Sequence, residues 1–344
     1  MSDRFKLATY TGGTRRFCAL VLDDETTCYD LGALWNAPAT SPGARPERTD
    51  LLALLADWSR NFDAIATMAS RLRAMGPDSP DIGDARHATA GLRVLPPVVR
   101  PPKMLYAAAN YREHVAGMRK TFRDGMPTID PAKDYKPEKS EAEPYLFGKA
   151  STSLCGAFDD IEIPPGMVRI DWEAELAVVI GRPGRNIPAS KAADHIAGYM
   201  TTNDVSCRDR TWRPDRPSIR SDWLSGKSWD TFAPTGPYFV PKAFVPDHAN
   251  LRITCSVNGE TKQDGNSGGM VFGVEDQIEY ASRLMTLESG DMFATGTPAG
   301  TGQERLEFLK PGDIVETEVE GLGRQRNRVI AGSSEYSAGS TTLA

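Results

Sequence analysis

The chain has 344 residues, 40 Lys+Arg against 46 Asp+Glu, a formal charge of −6 and 40% hydrophobic residues. That balance argues against a nucleic-acid surface, which needs a concentrated basic stripe, and no window approaches the roughly 20 apolar residues of a membrane span. The length suits two domains, the charged opening Ser2-Asp3-Arg4 has no apolar signal core, and the scattered Cys18, Cys28, Cys155, Cys207 and Cys255 fit reduced thiols in a cytoplasmic protein.

In chain order, residues 5–32 read as short alternating strands (Lys6–Tyr10, Phe17–Leu22, Cys28–Leu31) punctuated by Gly12-Gly13 and Asp23-Asp24. A loop bearing Pro38, Pro42 and Pro46 leads to the strongest helix. Thr49 or Asp50 caps it, and Leu51, Leu54, Leu55, Trp58, Phe62, Ile65, Met68 and Leu72 recur at helical spacing until Gly76-Pro77. These elements form a small αβ domain over 1–98, with no acid–base constellation. Pro96-Pro97 and Pro101-Pro102 stiffen the boundary.

A larger, predominantly β domain follows over 99–331, which makes the fold class α+β. Lys103–Ala109 is a strand and Asn110–Met118 a loop entering a short helix. The charged, proline-bearing 119–143 reads as an exposed, mobile insertion, either a lid or a disordered segment. Then come Ile161–Ile163, a Pro164-Pro165-Gly166 turn, a long strand Ile170–Ile180, and a helix capped by Ser190 and running to about Gly198. A strand from Tyr199 to Asn203, alternating strands at 251–258 and 313–319, and a helix Val274–Leu287 complete the domain. The Gly/Ser/Thr-rich 332–344 reads as a frayed tail.

The chemistry concentrates in Asp171-Trp172-Glu173-Ala174-Glu175-Leu176. Alternation along a strand puts Glu173 and Glu175 on one face, with Ala174, Leu176 and Val178 on the other. Two adjacent carboxylates repel, so a hard divalent cation fits between them; a solvent-facing edge strand is the plainer reading. Asp204, at the end of an apolar stretch, would complete three oxygen ligands, or else form an Asx turn. Arg208, Arg210, Arg213, Arg216 and Arg220 follow, able to fork an acidic substrate or simply to line a solvated loop. Lys227 lies between small residues before a Phe-Ala-Pro-Thr-Gly turn. Ala294–Gly302 is Gly/Thr-rich and its N–H groups can form an anion-binding nest, though it lacks the Lys-Ser/Thr ending of a P-loop. The histidines at 87, 114, 195 and 248 are too dispersed for a zinc cluster, and His114 alone adjoins a polar motif entering a helix.

In these segments the chain resembles the fumarylacetoacetate hydrolase family from about Lys103 to Glu320. The motifs are Asn-Tyr-x-x-His at 110–114, Phe147-Gly148-Lys149, Asp-Trp-Glu-Ala-Glu-Leu at 171–176, Asn-Asp-Val-Ser-Cys-Arg-Asp at 203–209, Gly-Lys-Ser-Trp-Asp-Thr-Phe at 226–232 and Thr-Gly-Thr-Pro-Ala-Gly at 295–300. The resemblance implies a mixed β-sandwich roll as catalytic domain, a homodimer, and Mg2+ or Mn2+ (Ca2+ in crystals) on Glu173, Glu175 and Asp204. It implies a small acidic diketo substrate near Tyr111, Lys149, Arg208 and Thr297, with His114 and Lys227 as catalytic groups. Short members support their histidine with a glutamate three residues on; here that position is Gly117. Longer members supply the glutamate after the Gly-Thr segment, which points to Glu304, or to Glu307. A fourth metal carboxylate of the longer members is replaced by Ala107, and their substrate-binding Gln by Thr211. The implied reaction is hydrolytic C–C cleavage of an acylpyruvate-like 2-oxo acid, with His114 activating water and the cation stabilising the enolate that leaves. Decarboxylation, isomerisation or dehydration on the same site is the alternative, and ligand binding without turnover a third.

Overall fold

The structure, a computed structural model, describes residues 4–77, 79–121, 142–216 and 218–333. The insertion expected at 119–143 and the tail expected at 332–344 therefore fall mostly outside the described residues. None of the described helices is long and apolar enough to cross a membrane, and all five cysteines are free and buried.

Residues 6–95 build a five-stranded antiparallel sheet in the order Arg86–Ala88, Thr27–Asp30, Arg15–Val21, Lys6–Gly12, Arg93–Leu95. Asp30 ends its strand by capping the helix Leu31–Asn36, accepting from the N–H groups of Gly32 and Ala33. The long helix expected from Asp50 to Gly76 is two helices, Leu51–Leu55 and Trp58–Met75. The physical cause is a side chain: Asn61 Nδ2 donates to the Leu54 carbonyl at 2.8 Å and satisfies a helix end that an unbroken helix would have used itself. Asp50 caps the first helix, as expected.

Among the described residues the larger part holds two large sheets and a two-stranded one, Ile170–Asp171 paired with Ser206–Cys207. The central one runs Tyr145–Gly148, Met104–Ala108, Met292–Ala294, Ala174–Ile180, Ile196–Asn203, Ala233–Thr235, Leu154–Gly156, with Val240–Pro241 as an extra strand on Ile196–Asn203. The second runs Glu260–Asn266, Arg252–Val257, Ile314–Val319, Gly323–Ala331, Ile161–Ile163. Ala174, Leu176 and Val178 pack with Ile253, Cys255, Val315 and Val319 between the sheets. Ala177 and Val179 face the other way, into a cluster with Leu7, Leu20, Leu54, Met68 and Phe239. The N-terminal sheet and its helices thus cover the outer face of the central sheet. Leu7 and Phe239 exchange backbone hydrogen bonds of 2.9 and 2.8 Å across the junction.

Three further expectations are corrected. The strand Ile170–Ile180 breaks at Trp172-Glu173. There the N–H of Trp172 is taken by the Asp171 carboxylate at 2.8 Å and that of Glu173 by the Asn203 side chain at 2.9 Å, so neither joins a ladder. The helix expected after Ser190 is the single turn Ala189–Ala192, its first N–H held by Glu279 at 3.2 Å, and the next strand begins at Ile196. The helix from Val274 ends at Leu284, because Leu287 exchanges backbone bonds of 2.8 and 3.0 Å with Gly184.

Candidate active site

Ala174–Ile180 is the fourth strand of the central sheet and every one of its residues is buried, so Glu173 and Glu175 are not on a solvated edge. The antiparallel register pairs Ala174 with Asn203, which sets Asp204 opposite Glu173; Asp204 N donates to Glu173 O at 2.8 Å. Glu173, Glu175 and Asp204 each present a carboxylate oxygen, and these oxygens lie within 4.8 Å of one another. The alternation expected from the sequence and the turn at Asp204 therefore converge on one point.

Cations surround two of the three. Lys227 Nζ donates to Glu173 Oε2 at 2.8 Å and to Asp204 Oδ2 at 2.5 Å. Lys149 Nζ donates to Asp204 Oδ1 at 2.7 Å and to the carbonyls of Phe232 and Val205 at 2.6 and 3.2 Å. Arg208 Nη2 reaches Glu173 Oε1, and its Nε donates to Asp171 at 2.8 Å. Burial alone would raise the pKa of Glu173, but Lys227, Arg208 and His114 outweigh it and hold the carboxyl well below its ordinary range. Glu175 is different. Its one hydrogen bond among the described residues comes from Gly296 N at 2.8 Å, and burial, then Asp204, then Glu173 push its pKa well up. A buried carboxylate beside two others, with no cationic side chain bonded to it, suits a divalent cation, and the all-oxygen donor set suits a hard one.

His114 lies in the first turn of the helix Arg112–Thr121. Asn110 fixes the entry: its amide donates to the carbonyls of Thr295 and Phe272 at 2.8 and 3.0 Å and accepts from Phe272 N at 2.9 Å. His114 Nδ1 is hydrogen-bonded to Glu304 Oε1. An ionised carboxylate only accepts, so the hydrogen of this bond lies on Nδ1, and in the neutral imidazole the lone pair is on Nε2. Glu304 also accepts from Gly300 N at 3.0 Å and from the Thr301 hydroxyl at 3.2 Å. Gly117 makes this possible, since a Cβ there would stand 2.3 Å from Glu304 Oε2. Glu307, the other candidate, pairs instead with Lys262 at 2.7 Å.

The Gly/Thr segment is indeed an anion nest, but for the protein's own carboxylates. Gly296 N serves Glu175, Gly300 N serves Glu304, and Gly302 N and Gln303 N serve Asp171. Thr297 is buried and tied within the fold, donating to Ala174 O at 2.9 Å and accepting from Gln263 Nε2 at 2.8 Å. Tyr111 is buried, its hydroxyl has no hydrogen-bond partner among the described residues, and burial and then the Glu175 charge raise its pKa. Arg208, expected at the substrate, has its guanidinium bonded to Asp171 and Glu173, whereas Arg213 pairs with Asp215 and Asp222 in the following loop. Asp171, Asn203 and Gln263 support the site and were not singled out from the sequence. For Asp171 the signal was present, since it stands two residues before Glu173 in the same alternation.

Residues 103–330 match the family model described as fumarylacetoacetate (FAA) hydrolase C-terminal. The mitochondrial oxaloacetate tautomerase FAHD2A of Homo sapiens is 38% identical over 267 residues, 77% of this chain and 76% of that protein. Among solved structures, the fumarylacetoacetate hydrolase of the psychrophile Exiguobacterium antarcticum superposes with a TM-score of 0.68 at 28% identity, covering 95% of this chain and 100% of that one. Maleylpyruvate hydrolase from Sphingobium sp. SYK-6 gives 0.67 at 25% identity, with the same coverage.

Proposed function

This chain belongs to the fumarylacetoacetate hydrolase family, and on that footing we propose that it moves a proton at the carbon beside the keto group of a small, acidic 2-oxo acid, interconverting keto and enol forms. The observation behind this reading is one juxtaposition: the Gly/Thr segment whose Gly296 N holds Glu175, one of three clustered carboxylates, also holds Glu304 of the His–Glu pair through Gly300 N. Mg2+ or Mn2+ held by Glu173, Glu175 and Asp204 would supply Lewis-acid stabilisation of developing enolate charge.

The chain's own residues do the rest. Glu304 accepts the Nδ1 hydrogen of His114, which leaves Nε2 to take a proton and stabilises the imidazolium that results. Lys149 and Lys227 offset carboxylate charge that would otherwise be buried unpaired. Thr297 and Gln263 brace the strand that carries Glu175. The family relative named as an oxaloacetate tautomerase favours the tautomerisation reading over cleavage.

Hydrolytic C–C cleavage of an acylpyruvate is the second reading, supported by the likeness to maleylpyruvate hydrolase and by the same dyad. There His114 would take its proton from water, the hydroxide would add to the distal carbonyl, and the carbon–carbon bond would break with an enolate leaving. One assay separates the two. Enol oxaloacetate is followed by its ultraviolet absorbance, and acylpyruvates by pyruvate release, each with EDTA and with restored Mg2+ or Mn2+. Metal-dependent enol loss faster than in buffer supports tautomerisation, and pyruvate with a second acid supports hydrolysis. Turnover of neither substrate class overturns both. The homodimer belongs to the same proposal and is checked by light scattering.

A further inference from the structure

The dyad and the carboxylate cluster come from segments distant in sequence, and one side chain touches the supports of both. Asp171 is fully buried. Its Oδ1 accepts from Trp172 N at 2.8 Å and from Gly302 N. Its Oδ2 accepts from Gln303 N at 3.0 Å and from Arg208 Nε at 2.8 Å. Arg208 Nη2 then bonds Glu173. Glu304 is the next residue after Gln303, in the one-turn helix Gly302–Arg305. So a single carboxylate fixes the start of the turn that delivers Glu304 to His114 and orients the guanidinium that holds Glu173.

The turn has little freedom to find this position otherwise. A Cβ at Gly302 would lie 2.2 Å from Glu307 O and 2.7 Å from Asp171 Oδ1, so the backbone approaches Asp171 as closely as a glycine allows. An amide at 171 would keep the volume but not the function. One of its two ends is a donor, which would face N–H groups of Gln303 and Arg208 or of Trp172 and Gly302.

We propose that Asp171 is a positioning residue that sets the His114–Glu304 dyad in register with Glu173. The proposal rests on the dyad reading above. It is tested by Asp171→Asn, Glu304→Gln and the double variant, measured by kcat, KM and Mg2+ affinity, together with the imidazole N–H proton of His114 in 15N-histidine-labelled protein, assigned by its loss in His114→Ala. The expected result is a loss of about 10- to 100-fold in kcat for Asp171→Asn, the scale of a roughly 1 Å misplacement, with KM and Mg2+ affinity within about 3-fold. In the Glu304→Gln background the same change should cost under about 2-fold, because coupled residues do not add. The His114 resonance should move upfield or vanish in Asp171→Asn. An unmoved resonance, or losses that multiply in the double variant, would overturn the proposal. If Asp171→Asn does not fold, Asp171→Glu, which keeps the charge and displaces it, is read the same way. If Glu304→Gln leaves kcat intact, the dyad reading fails, while the resonance still decides whether Asp171 positions Glu304.

Discussion

The carboxylate end of the central sheet and the N-terminal layer on its outer face are both buried, but by opposite chemistry. Leu7, Leu54, Leu55 and Met68 lie fully buried among apolar neighbours. Burial of each such side chain contributes about 1.5–3 kcal/mol. At the other end Asp171, Glu173, Glu175, Asp204, Lys149, Lys227 and Arg208 are buried together. Buried ion pairs add little net stability against an apolar substitute, although removing one partner is costly. The N-terminal layer therefore carries stability, and the charged end stores an unrelieved carboxylate for function. Variants at the two ends should separate turnover from stability.

The largest expected effect is at Glu175. Its folded-state pKa is raised, so at neutral pH its ionised form works against the metal-free fold. Glu175→Gln should abolish turnover, by about 1000-fold or more, yet leave the metal-free Tm equal or higher by a few degrees. The rise in Tm that Mg2+ gives the native protein by binding only the folded state should disappear with it. Calorimetry with and without Mg2+ checks both; a large fall in the metal-free Tm would show that Glu175 is instead a structural partner.

His114→Ala and Glu304→Gln come next, each lowering kcat by about 100- to 10,000-fold, the range for a positioned general base, with Tm changed little. A double variant that loses no more than the worse of the two singles would show that the pair acts as a unit. Leu54→Ala tests the opposite end. Truncating a fully buried leucine should lower stability by about 2–5 kcal/mol, while kcat measured well below the new Tm stays within about 2-fold. Denaturant unfolding beside steady-state kinetics decides it, and a parallel loss of kcat would mean the two ends are mechanically coupled.

The same contrast governs what was legible in the sequence. Period-two alternation placed Glu173 and Glu175 on one face, and an apolar run announced the strand behind them. Those signals are local. Pairing of strands is not, so by spacing alone the five arginines after Asp204 look alike and only the family resemblance marks Arg208; the register of Cys207 against Ile170 is what carries it to Asp171 and Glu173. The helix break at Ala56-Asp57 escaped for a related reason. Leu54, Leu55, Trp58 and Phe62 keep helical spacing across it, and the cause is a polar contact from Asn61 that periodicity does not weigh. Order along the chain narrowed the histidine's partner to Glu304 or Glu307, and space decided between them.

That space is the subject of the smallest prediction. Gly117 sits where a side chain would meet Glu304 Oε2 at 2.3 Å, inside the distance at which real Cβ contacts occur. In a helix, glycine to alanine is ordinarily favourable, by roughly 0.8–1.0 kcal/mol. Gly117→Ala should therefore hold or raise Tm while lowering kcat about 10-fold, as Glu304 is pushed off His114. The two signs together are the test, since a merely destabilising clash would lower both. A wild-type kcat in Gly117→Ala would mean that Glu304 tolerates displacement and that the open space at Gly117 is not what seats it on His114.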